Sequence, residues 1–383
     1  MSLTRAKLKR ELARAGGQLM RGPEFLWDYL TYTRRADAQS ARERRITHGS
    51  LPLDGEVAIY LVFPADGLLP SHLQTLNEII RAGVRPVVVS NLPLTEADRA
   101  RLLPLTARVI ERPNLGYDFG GYREAILALA PDLPRLDRLY ILNDSAWMLD
   151  GGARWFDQVR ALDVDFAGAT SNYGAARVAS EDFRDIHWRY TTAHKDFHLA
   201  SYALALGPRA LRDPALIRFW RRFRLATRKN RVVRRGEIGF TQLALAQGWS
   251  VATTFDERTL DADLAALSDA DLTKVFDHLV LTNVDIQALR DRTDFPPLAT
   301  PEGRAMRVAF ILMAVARLAA GYTLPYYAIH HRAFPFVKKS PLGLNREASD
   351  RTLAILAGLT GPMAEQALTE AQAIRAKKSP AFR

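Results

Sequence analysis

Short apolar segments of strand length alternate with helical patterns between residues 55 and 142. The first is residues 57–63, Val-Ala-Ile-Tyr-Leu-Val-Phe, and residues 70–83 then place apolar side chains at helical spacing. Further strand-like runs lie at residues 86–90, Arg108–Glu111 and 138–142, with helical patterns at residues 95–103 and 122–130. Such alternation predicts an α/β fold with a parallel sheet and right-handed crossover connections.

The chain of 383 residues divides into three regions. Residues 1–54 form a basic lead-in that places Leu8, Leu12, Ala15 and Leu19 on one face of a predicted helix. Residues 55–256 carry the α/β pattern, and residues 257–383 are mostly helical in pattern. We therefore expect a mostly parallel sheet flanked by helices, with helical N- and C-terminal additions.

The net charge is +11 and is unevenly distributed. Residues 1–50 hold 11 basic and 5 acidic side chains, and residues 218–235 hold 9 basic side chains and no acidic one. Such patches attract nucleic acid, anionic lipid or diphosphate-bearing substrates, and an ordinary solvated surface has the same composition. The sequence contains no helix-turn-helix signature, zinc-ligand spacing or RNP-like motif, so we expect no nucleic-acid partner.

Cysteine is absent, which excludes disulfides and thiolate metal sites and suits the cytoplasm. The N-terminus lacks the apolar core of a secretory signal, and no run of about 18 apolar residues occurs. Residues 308–316 are apolar and predict a helix that lies in a membrane interface or, more commonly, is buried in the protein. We expect a cytoplasmic protein, and peripheral contact with an anionic inner-membrane surface stays open.

Two polar segments follow predicted strands. Residues 112–121 are Arg-Pro-Asn-Leu-Gly-Tyr-Asp-Phe-Gly-Gly, and Asn143-Asp144-Ser145 follows the strand at residues 138–142. Ligands of parallel α/β sheets bind outside the carboxyl ends of the strands. Two carboxylates at neighbouring strand ends, Asp118 and Asp144, would hold a divalent cation and the phosphates that it neutralises. This pattern predicts a nucleotide-sugar enzyme.

Seven segments, in their order along the chain, resemble the rhamnan synthesis protein F family. They are residues 57–63, residues 87–91, Asn114-Leu-Gly-Tyr-Asp-Phe-Gly, Leu142-Asn-Asp-Ser, His198-Leu-Ala-Ser-Tyr, Glu237-Ile-Gly-Phe-Thr and Phe334-Pro-Phe-Val-Lys. The resemblance covers about residues 55–345. It implies a bacterial glycosyltransferase of cell-surface polysaccharide assembly with a GT-A-like, Rossmann-like fold, whose catalytic domain is residues 55–256.

The resemblance implies a donor site built on the second polar segment. Asp144 would supply a carboxylate to Mg²⁺ or Mn²⁺ between the two phosphates, at the place where GT-A enzymes carry an Asp-x-Asp motif. Asn143 and Ser145 would hydrogen-bond ribose or phosphate, and Asn91 would join them from the neighbouring strand end. The alternative is an Asn/Asp/Ser cluster that only turns the chain after a strand.

The first polar segment would complete the donor site. Asp118 would accept hydrogen bonds from hydroxyls of the donor sugar or ribose, Gly116 would let the backbone approach the ligand, and Asn114 would steady the loop. In the alternative, Asp118 caps a helix that begins near Tyr122. The segment is not a dinucleotide fingerprint, because it lacks the Gly-x-Gly start and follows a third strand.

The base and the acceptor site would come from later residues. Glu237 begins a helical pattern that resembles the helix supplying the base in inverting GT-A enzymes, and its alternative role is to stabilise the first turn of that helix. His198 and Ser201 would bind acceptor hydroxyls, and a structural histidine is the alternative. His194 and His198 are four residues apart but lack the third ligand of a zinc site.

The resemblance therefore implies transfer of rhamnose or another deoxyhexose from a nucleoside diphosphate donor. The acceptor would be a glycan or lipid-linked glycan, a precursor of cell-surface polysaccharide or lipopolysaccharide. One alternative is a different donor sugar. The other is an inactive glycan-binding or scaffold protein of the assembly machinery at the inner membrane, which the single acid of Asn143-Asp144-Ser145 favours.

Overall fold

The computed structural model describes the backbone of residues 22–378 and the side chains of residues 31–378. The apolar face predicted for Leu8, Leu12, Ala15 and Leu19 lies outside the described residues. In chain order the strands are β1 (Arg45–His48), β2 (Glu56–Val62), β3 (Arg85–Ser90), β4 (Arg108–Glu111), β5 (Arg138–Asn143), β6 (Ala146–Met148), β7 (Phe166–Gly168), β8 (Ser171–Asn172), β9 (His198–Leu199), β10 (Ala203–Leu206), β11 (Val251–Thr253) and β12 (Phe336–Lys338).

The central sheet contains eight strands in the order β1-β4-β3-β2-β5-β10-β7-β11. Strands β4, β3, β2 and β5 are parallel, and β7 is parallel to β11. Strands β1 and β10 run antiparallel to their neighbours. Two short antiparallel pairs, β6 with β12 and β8 with β9, lie outside this sheet. The predicted α/β fold with a mostly parallel sheet is confirmed.

Helices cover the sheet and form the C-terminal region. Those up to the last sheet strand are α1 (Gly22–Glu43), α2 (Pro70–Arg81), α3 (Glu96–Leu102), α4 (Tyr117–Ala128), α5 (Ala153–Leu162), α6 (Pro208–Arg212), α7 (Pro214–Arg222), α8 (Lys229–Val233) and α9 (Gly239–Ala246), with a π-helical turn at Arg234–Ile238. The later ones are α10 (Leu260–Ala265), α11 (Asp269–Asp277), α12 (Val284–Arg292), α13 (Pro301–Leu318), α14 (Ala320–Thr323), α15 (Pro325–Arg332), α16 (Arg346–Ala357) and α17 (Pro362–Lys378).

Strand β2 shows how the two faces of the sheet are covered. Its odd-numbered residues, Val57, Ile59 and Leu61, belong to an apolar cluster that includes side chains of α4 and α7. Its even-numbered apolar residues, Ala58, Tyr60 and Val62, belong to a second cluster, with side chains of α2, α5 and α13. Successive side chains of a strand point to opposite faces, so a strand covered on both faces is apolar throughout.

Helix α4 begins at Tyr117, five residues before the predicted start near Tyr122. Gly116 precedes it with a φ of 76°, a left-handed conformation that favours glycine. A Cβ on Gly121 would lie 2.4 Å from Leu61 Cδ1, so glycine here allows α4 to pack closely on β2. Asp118 therefore lies within the first turn of α4 and does not precede the helix as a cap.

The apolar helix predicted at residues 308–316 is part of α13, and its residues from Phe310 to Ala316 are buried. Of the two predicted roles, the structure therefore supports a helix buried in the protein. Membrane contact through this segment would require α13 to leave the core. Among the described residues, no helix combines the length and the apolar character needed to cross a bilayer.

Helix α17 is attached to the rest of the protein through the buried carboxylate of Glu370. Its Oε2 accepts hydrogen bonds from Ser71 Oγ at 2.7 Å and from Trp147 Nε1 at 2.8 Å. Its Oε1 accepts the backbone N–H of Ser71 at 3.2 Å and the amide of Gln366 at 3.1 Å. These bonds connect the C-terminal helix with α2 and β6.

Candidate active site

The buried side chain of Asn143 brings the two polar segments together. Its Nδ2 donates hydrogen bonds to the hydroxyl of Tyr122 at 2.7 Å and to Asp118 Oδ2 at 3.3 Å. Its Oδ1 accepts the backbone N–H of Ser145 at 3.0 Å. The hydroxyl of Tyr122 in turn donates to the backbone carbonyl of Ser201 at 2.9 Å. Asn143 thus positions residues of the predicted donor and acceptor sites relative to each other.

Asp118 lies in an environment that disfavours its charged form. Burial, followed by the negative charge of Asp144, raises the pKa of Asp118 to about 6. The ammonium group of Lys338 opposes this rise, while the carboxylate of Glu237 adds to it. A group with this pKa exchanges its proton near neutral pH, and such shifts cluster at functional sites.

Asp144 points to the other face of the sheet from Asn143, as expected for neighbouring residues at a strand end. Its Oδ2 accepts the backbone N–H of Phe63 at 2.8 Å and lies 3.3 Å from His72 Nε2. The N–H of Leu69 donates to His72 Nδ1 at 3.2 Å, so the neutral ring carries its hydrogen on Nε2, towards Asp144. Burial alone would raise the pKa of Asp144, but His72, Lys339 and the Phe63 N–H together lower it.

The assignment of Asp144 as a ligand of Mg²⁺ or Mn²⁺ stays a prediction. Oδ2 of Asp144 already accepts the backbone N–H of Phe63 and lies close to His72 Nε2. Among the described residues, no three His, Cys, Asp or Glu side chains form a group that could hold a metal ion. These side chains do not fit a metal site preorganised by several protein ligands.

The other predicted donor residues lie at the ends of β3 and β4. Asn91 Oδ1 accepts a hydrogen bond from Arg112 Nη1 at 2.5 Å, and Arg112 Nη2 donates to the carbonyl of Leu115 at 2.7 Å. Asn91, Arg112 and the exposed Asn114 line a cavity of about 310 Å³. A Cβ on Gly116 would lie 2.7 Å from Leu225 Cδ2, so this glycine allows a close protein contact. Donor binding by Asn91, Asn114 and Gly116 stays a prediction.

The predicted base and the predicted acceptor residues lie together. The hydroxyl of Ser201 donates to Glu237 Oε1 at 2.5 Å, and His198 Nε2 lies 3.6 Å from Glu237 Oε2. His198 Nδ1 donates to the carbonyl of Asp196 at 2.7 Å, so Nε2 of the neutral ring carries a lone pair. All three residues line a cavity of about 300 Å³. Nothing in the sequence indicates these contacts, because they form only when folding brings distant segments of the chain together.

Glu237 belongs to the π-helical turn that joins α8 directly to α9. Residues 229–246 are therefore continuously helical, and Glu237 lies inside this segment. A carboxylate in such a position is not at a free helix N-terminus, so the alternative role in the first turn of a helix loses its basis. Single π turns inside helices occur frequently at functional sites.

Lys338 was not among the predicted site residues. Its Nζ donates to Ser145 Oγ at 2.9 Å and lies 4.3 Å from the centroid of the Tyr202 ring. It lines the same cavity as Glu237. The pairing of β12 with β6 places Lys338 beside Ser145, although the two residues are 193 positions apart. Lys338 occurs in the Phe-Pro-Phe-Val-Lys segment, but nothing in the sequence indicates its neighbours.

The segment of nine basic residues, 218–235, comprises the end of α7, the following loop, α8 and the first two residues of the π-helical turn. Arg218, Arg221, Arg222 and Arg224 are exposed. Among the described residues, Arg218 and Arg222 make no ion pair, and they border a cavity of about 510 Å³ whose lining contains no acidic side chain. The surface formed by Arg218, Arg221 and Arg222, the basic face, is therefore exposed to an anionic partner.

Comparisons with known proteins identify the family of this chain. A family model described as rhamnan synthesis protein F matches residues 86–295. The uncharacterized protein y4gN of Sinorhizobium fredii (strain NBRC 101917 / NGR234) is 29% identical over 253 residues, which are 65% of this chain and 61% of that protein. The chain thus spans about 61% of the length of this curated relative.

Two solved structures show weaker similarity. The mannosyltransferase PcManGT from Pyrobaculum calidifontis, in complex with GDP-Man and Mn²⁺, has a TM-score of 0.31 and 15% identity, covering 94% of this chain and 97% of its own. Mouse xyloside xylosyltransferase 1 in its apo form has a TM-score of 0.26 and 14% identity, covering 52% of this chain and 85% of its own. Both TM-scores lie below 0.5, so neither similarity supports an assignment of fold or activity.

Proposed function

Because this chain belongs to the rhamnan synthesis protein F family, we propose that it is a glycosyltransferase using a nucleoside diphosphate sugar as donor. The observation that carries the proposal is the position of Glu237. Its carboxylate lines a cavity with Ser201, His198 and Lys338, and Asn143 and Tyr122 connect this cavity with Asp118. Transfer to a hydroxyl requires a base for the acceptor and positive charge near the diphosphate. Glu237 and Lys338 place a carboxylate and an ammonium group on this cavity.

The proposed reaction is a displacement at C1 of the donor sugar. An acceptor hydroxyl oxygen forms the new bond to C1, and its proton goes to the Glu237 carboxylate. The bond between C1 and the diphosphate oxygen breaks, and its electron pair leaves with the diphosphate. The transition state resembles an oxocarbenium ion, as in glycoside hydrolysis.

Ser201 and His198 prepare Glu237 for this role. The hydroxyl of Ser201 holds Oε1 in place, which leaves Oε2 for the proton of the acceptor. His198 Nε2, with its lone pair 3.6 Å from Oε2, is placed to receive that proton afterwards. The two residues would also bind other hydroxyls of the acceptor, as the sequence predicts.

Rhamnose or another deoxyhexose is the proposed sugar, and a cell-surface polysaccharide or lipopolysaccharide precursor is the proposed acceptor. Family membership supports both proposals. We place the reaction on the cytoplasmic side of the inner membrane, where nucleotide sugars and a lipid-linked acceptor would meet. Residues 55–256 are the proposed catalytic domain, with residues 1–54 and 257–383 as additions.

A thermal-shift panel of nucleoside diphosphates, nucleotide sugars and glycans tests this function. A ligand that binds only the native state raises its apparent stability by mass action. We expect one group of nucleotide sugars to raise the melting temperature and to be consumed when acceptor is added. Stabilisation by glycans alone would favour the glycan-binding scaffold, and stabilisation by none of these ligands would contradict both functions.

The sequence predicts that a bound Mg²⁺ or Mn²⁺ compensates the negative charge of the donor diphosphate. Asp144 and the phosphate oxygens would be the ligands, since Mg²⁺ often binds one carboxylate together with substrate phosphates. The bound ion would act as a Lewis acid on the leaving group. This alternative predicts that EDTA abolishes binding of the nucleoside diphosphate.

The basic face would bring the enzyme to an anionic membrane that contains its acceptor. We expect the protein to float with anionic liposomes at low salt and to dissociate at high salt, since exposed charges are screened. Replacing Arg218, Arg221 and Arg222 with glutamine should abolish flotation.

The matched control removes three exposed cations from the C-terminal helices, Lys274, Arg346 and Lys378. It has the same net charge as the test variant and should float like the wild type. Equal flotation with neutral liposomes, or equal loss in both variants, would contradict binding through the basic face.

A further inference from the structure

Lys338 lies at the junction of the predicted donor and acceptor residues. It is half-buried on β12, and its ammonium group contacts the hydroxyl of Ser145 and the ring of Tyr202. A second ring, that of Tyr322, has its centroid 5.6 Å from Nζ. The ammonium group has three donors, and the hydroxyl of Ser145 accepts one of them. Among the described residues, the other two N–H donors have no hydrogen-bond acceptor, and Lys338 lines a cavity in which a ligand could accept them.

The charges around Lys338 are negative, but none makes a close ion pair with it. Among the described residues, no carboxylate oxygen lies within 4.0 Å of its Nζ. Burial lowers the pKa of Lys338 to about 8, and the carboxylates of Glu237, Asp118 and Asp144 oppose this shift. A partly buried ammonium group without a contacting anion loses some of its hydration, and an anionic ligand would compensate for that loss.

We propose that Lys338 binds the diphosphate of the donor directly and stabilises it as the leaving group, so that donor binding requires no divalent cation. This inference rests on the proposed glycosyltransferase function. It also uses the neighbouring residues, since the hydroxyl of Ser145 is oriented by its contact with Lys338 and keeps its own hydrogen for a phosphate oxygen.

The role follows from where charge develops during transfer. As the bond between C1 and the diphosphate oxygen breaks, the electron pair adds negative charge to the diphosphate, and the acceptor proton goes to Glu237. An ammonium group held in place before the reaction stabilises this charge without reorganisation. Lys338 thus has the function that the sequence assigned to a metal held by Asp144.

Isothermal titration calorimetry with UDP, GDP and dTDP tests the inference, in EDTA and separately with Mn²⁺. We expect one of these nucleotides to bind the wild type equally well under both conditions. Lys338→Met keeps the length of the side chain but removes its charge, and should weaken binding about ten- to a hundredfold. Lys338→Arg keeps the charge and should restore most of the affinity.

The neighbouring Lys339 provides a matched control. Its ammonium group lies over Trp147, 3.9 Å from Glu370 Oε2, and does not line the cavity. Lys339→Met should therefore bind the nucleotide like the wild type. Circular dichroism melting of each variant verifies that it is folded, and Lys338→Arg keeps the test informative if Lys338→Met is unstable.

The pH dependence of binding separates an ionic from a structural role. Nucleotide affinity of the wild type should fall as pH rises above about 8, because the free ammonium group loses its proton there. The other charged groups acting on Lys338 are Glu237, Asp118, Asp144 and Lys229. Tyr202 and Tyr322 do not titrate near pH 8, because burial raises their pKa above the ordinary value for tyrosine. In Lys338→Arg this fall should disappear, because arginine stays protonated.

Two results would overturn the inference while leaving the proposed function intact. One is wild-type binding that occurs with Mn²⁺ and is lost in EDTA, and the other is unchanged affinity in Lys338→Met. If the wild type binds none of the three nucleotides in either condition, the proposed function itself fails.

Discussion

The Glu237→Gln variant should transfer sugar about 10²- to 10⁴-fold more slowly than the wild type, because an amide cannot accept the proton of the acceptor hydroxyl. Its stability should change little. Glutamine has nearly the same shape, and its Oε1 still accepts the hydrogen bond from Ser201. Donor affinity should also be retained, since Glu237 acts on the acceptor. These three expectations are tested by measuring the transfer rate, the donor affinity by calorimetry and the melting temperature on one preparation.

Glu302→Gln is the matched control for this variant. Glu302 is an exposed acid in the first turn of α13, where its charge favours the helix N-terminus. Its replacement should cost about 0.3–1 kcal/mol of stability and leave transfer unchanged. A decrease in transfer of less than about tenfold in Glu237→Gln would exclude Glu237 as the general base.

The Glu370→Ala variant should be less stable than the wild type by about 3–5 kcal/mol. Removal of this buried carboxylate leaves the indole N–H of Trp147 and both donors of Ser71 without their acceptor. Hydrogen bonds to charged groups are stronger than neutral ones, and buried donors that lose their acceptor remain desolvated. Urea denaturation followed by circular dichroism measures the difference.

Glu365 on the same helix supplies the control. It is exposed in the first turn of α17, and Glu365→Ala should change stability by no more than about 1 kcal/mol. Burial would raise the pKa of Glu370, but its hydrogen bonds and Lys339 lower it overall. The carboxylate therefore stabilises the fold above its unfolded pKa of about 4.3, and this contribution is lost as pH falls through the lower folded value. A wild-type advantage that stays constant at lower pH would contradict this account.

The strands of the sheet were predictable where burial on both faces makes a segment apolar throughout. The predicted range Arg108–Glu111 is the observed β4, and residues 57–63 differ from β2 by one position at each end. The start of α4 was not predictable from local pattern. The packing of α4 on β2 was not predictable either, because it depends on how closely Gly121 approaches Leu61, a contact between segments that are 60 residues apart. The antiparallel direction of β10 likewise depends on tertiary pairing with β5 and β7.

The candidate site was predictable to the extent that its residues end strands. The sequence placed Asp118 and Asn143 at one edge of the sheet, and their hydrogen bond agrees with this placement. The sequence pattern assigned Asn143 and Asp144 to the same donor site. In the structure their side chains point to opposite faces of the sheet, so Asn143 contacts Tyr122 and Asp144 lies beside His72. Lys338 and His72 were missed because their contacts arise between distant segments.

The π-helical turn has a consequence for comparing relatives of this chain. An α-helix advances by about 100° per residue, so one residue added to a turn rotates everything beyond it by that angle. A relative that keeps the glutamate but lacks one residue of Arg234–Ile238 would have an ordinary α-helix here, with its carboxylate turned away from the serine. The length of this turn, rather than the presence of the acid alone, would then distinguish active members of the family from members that have lost transfer.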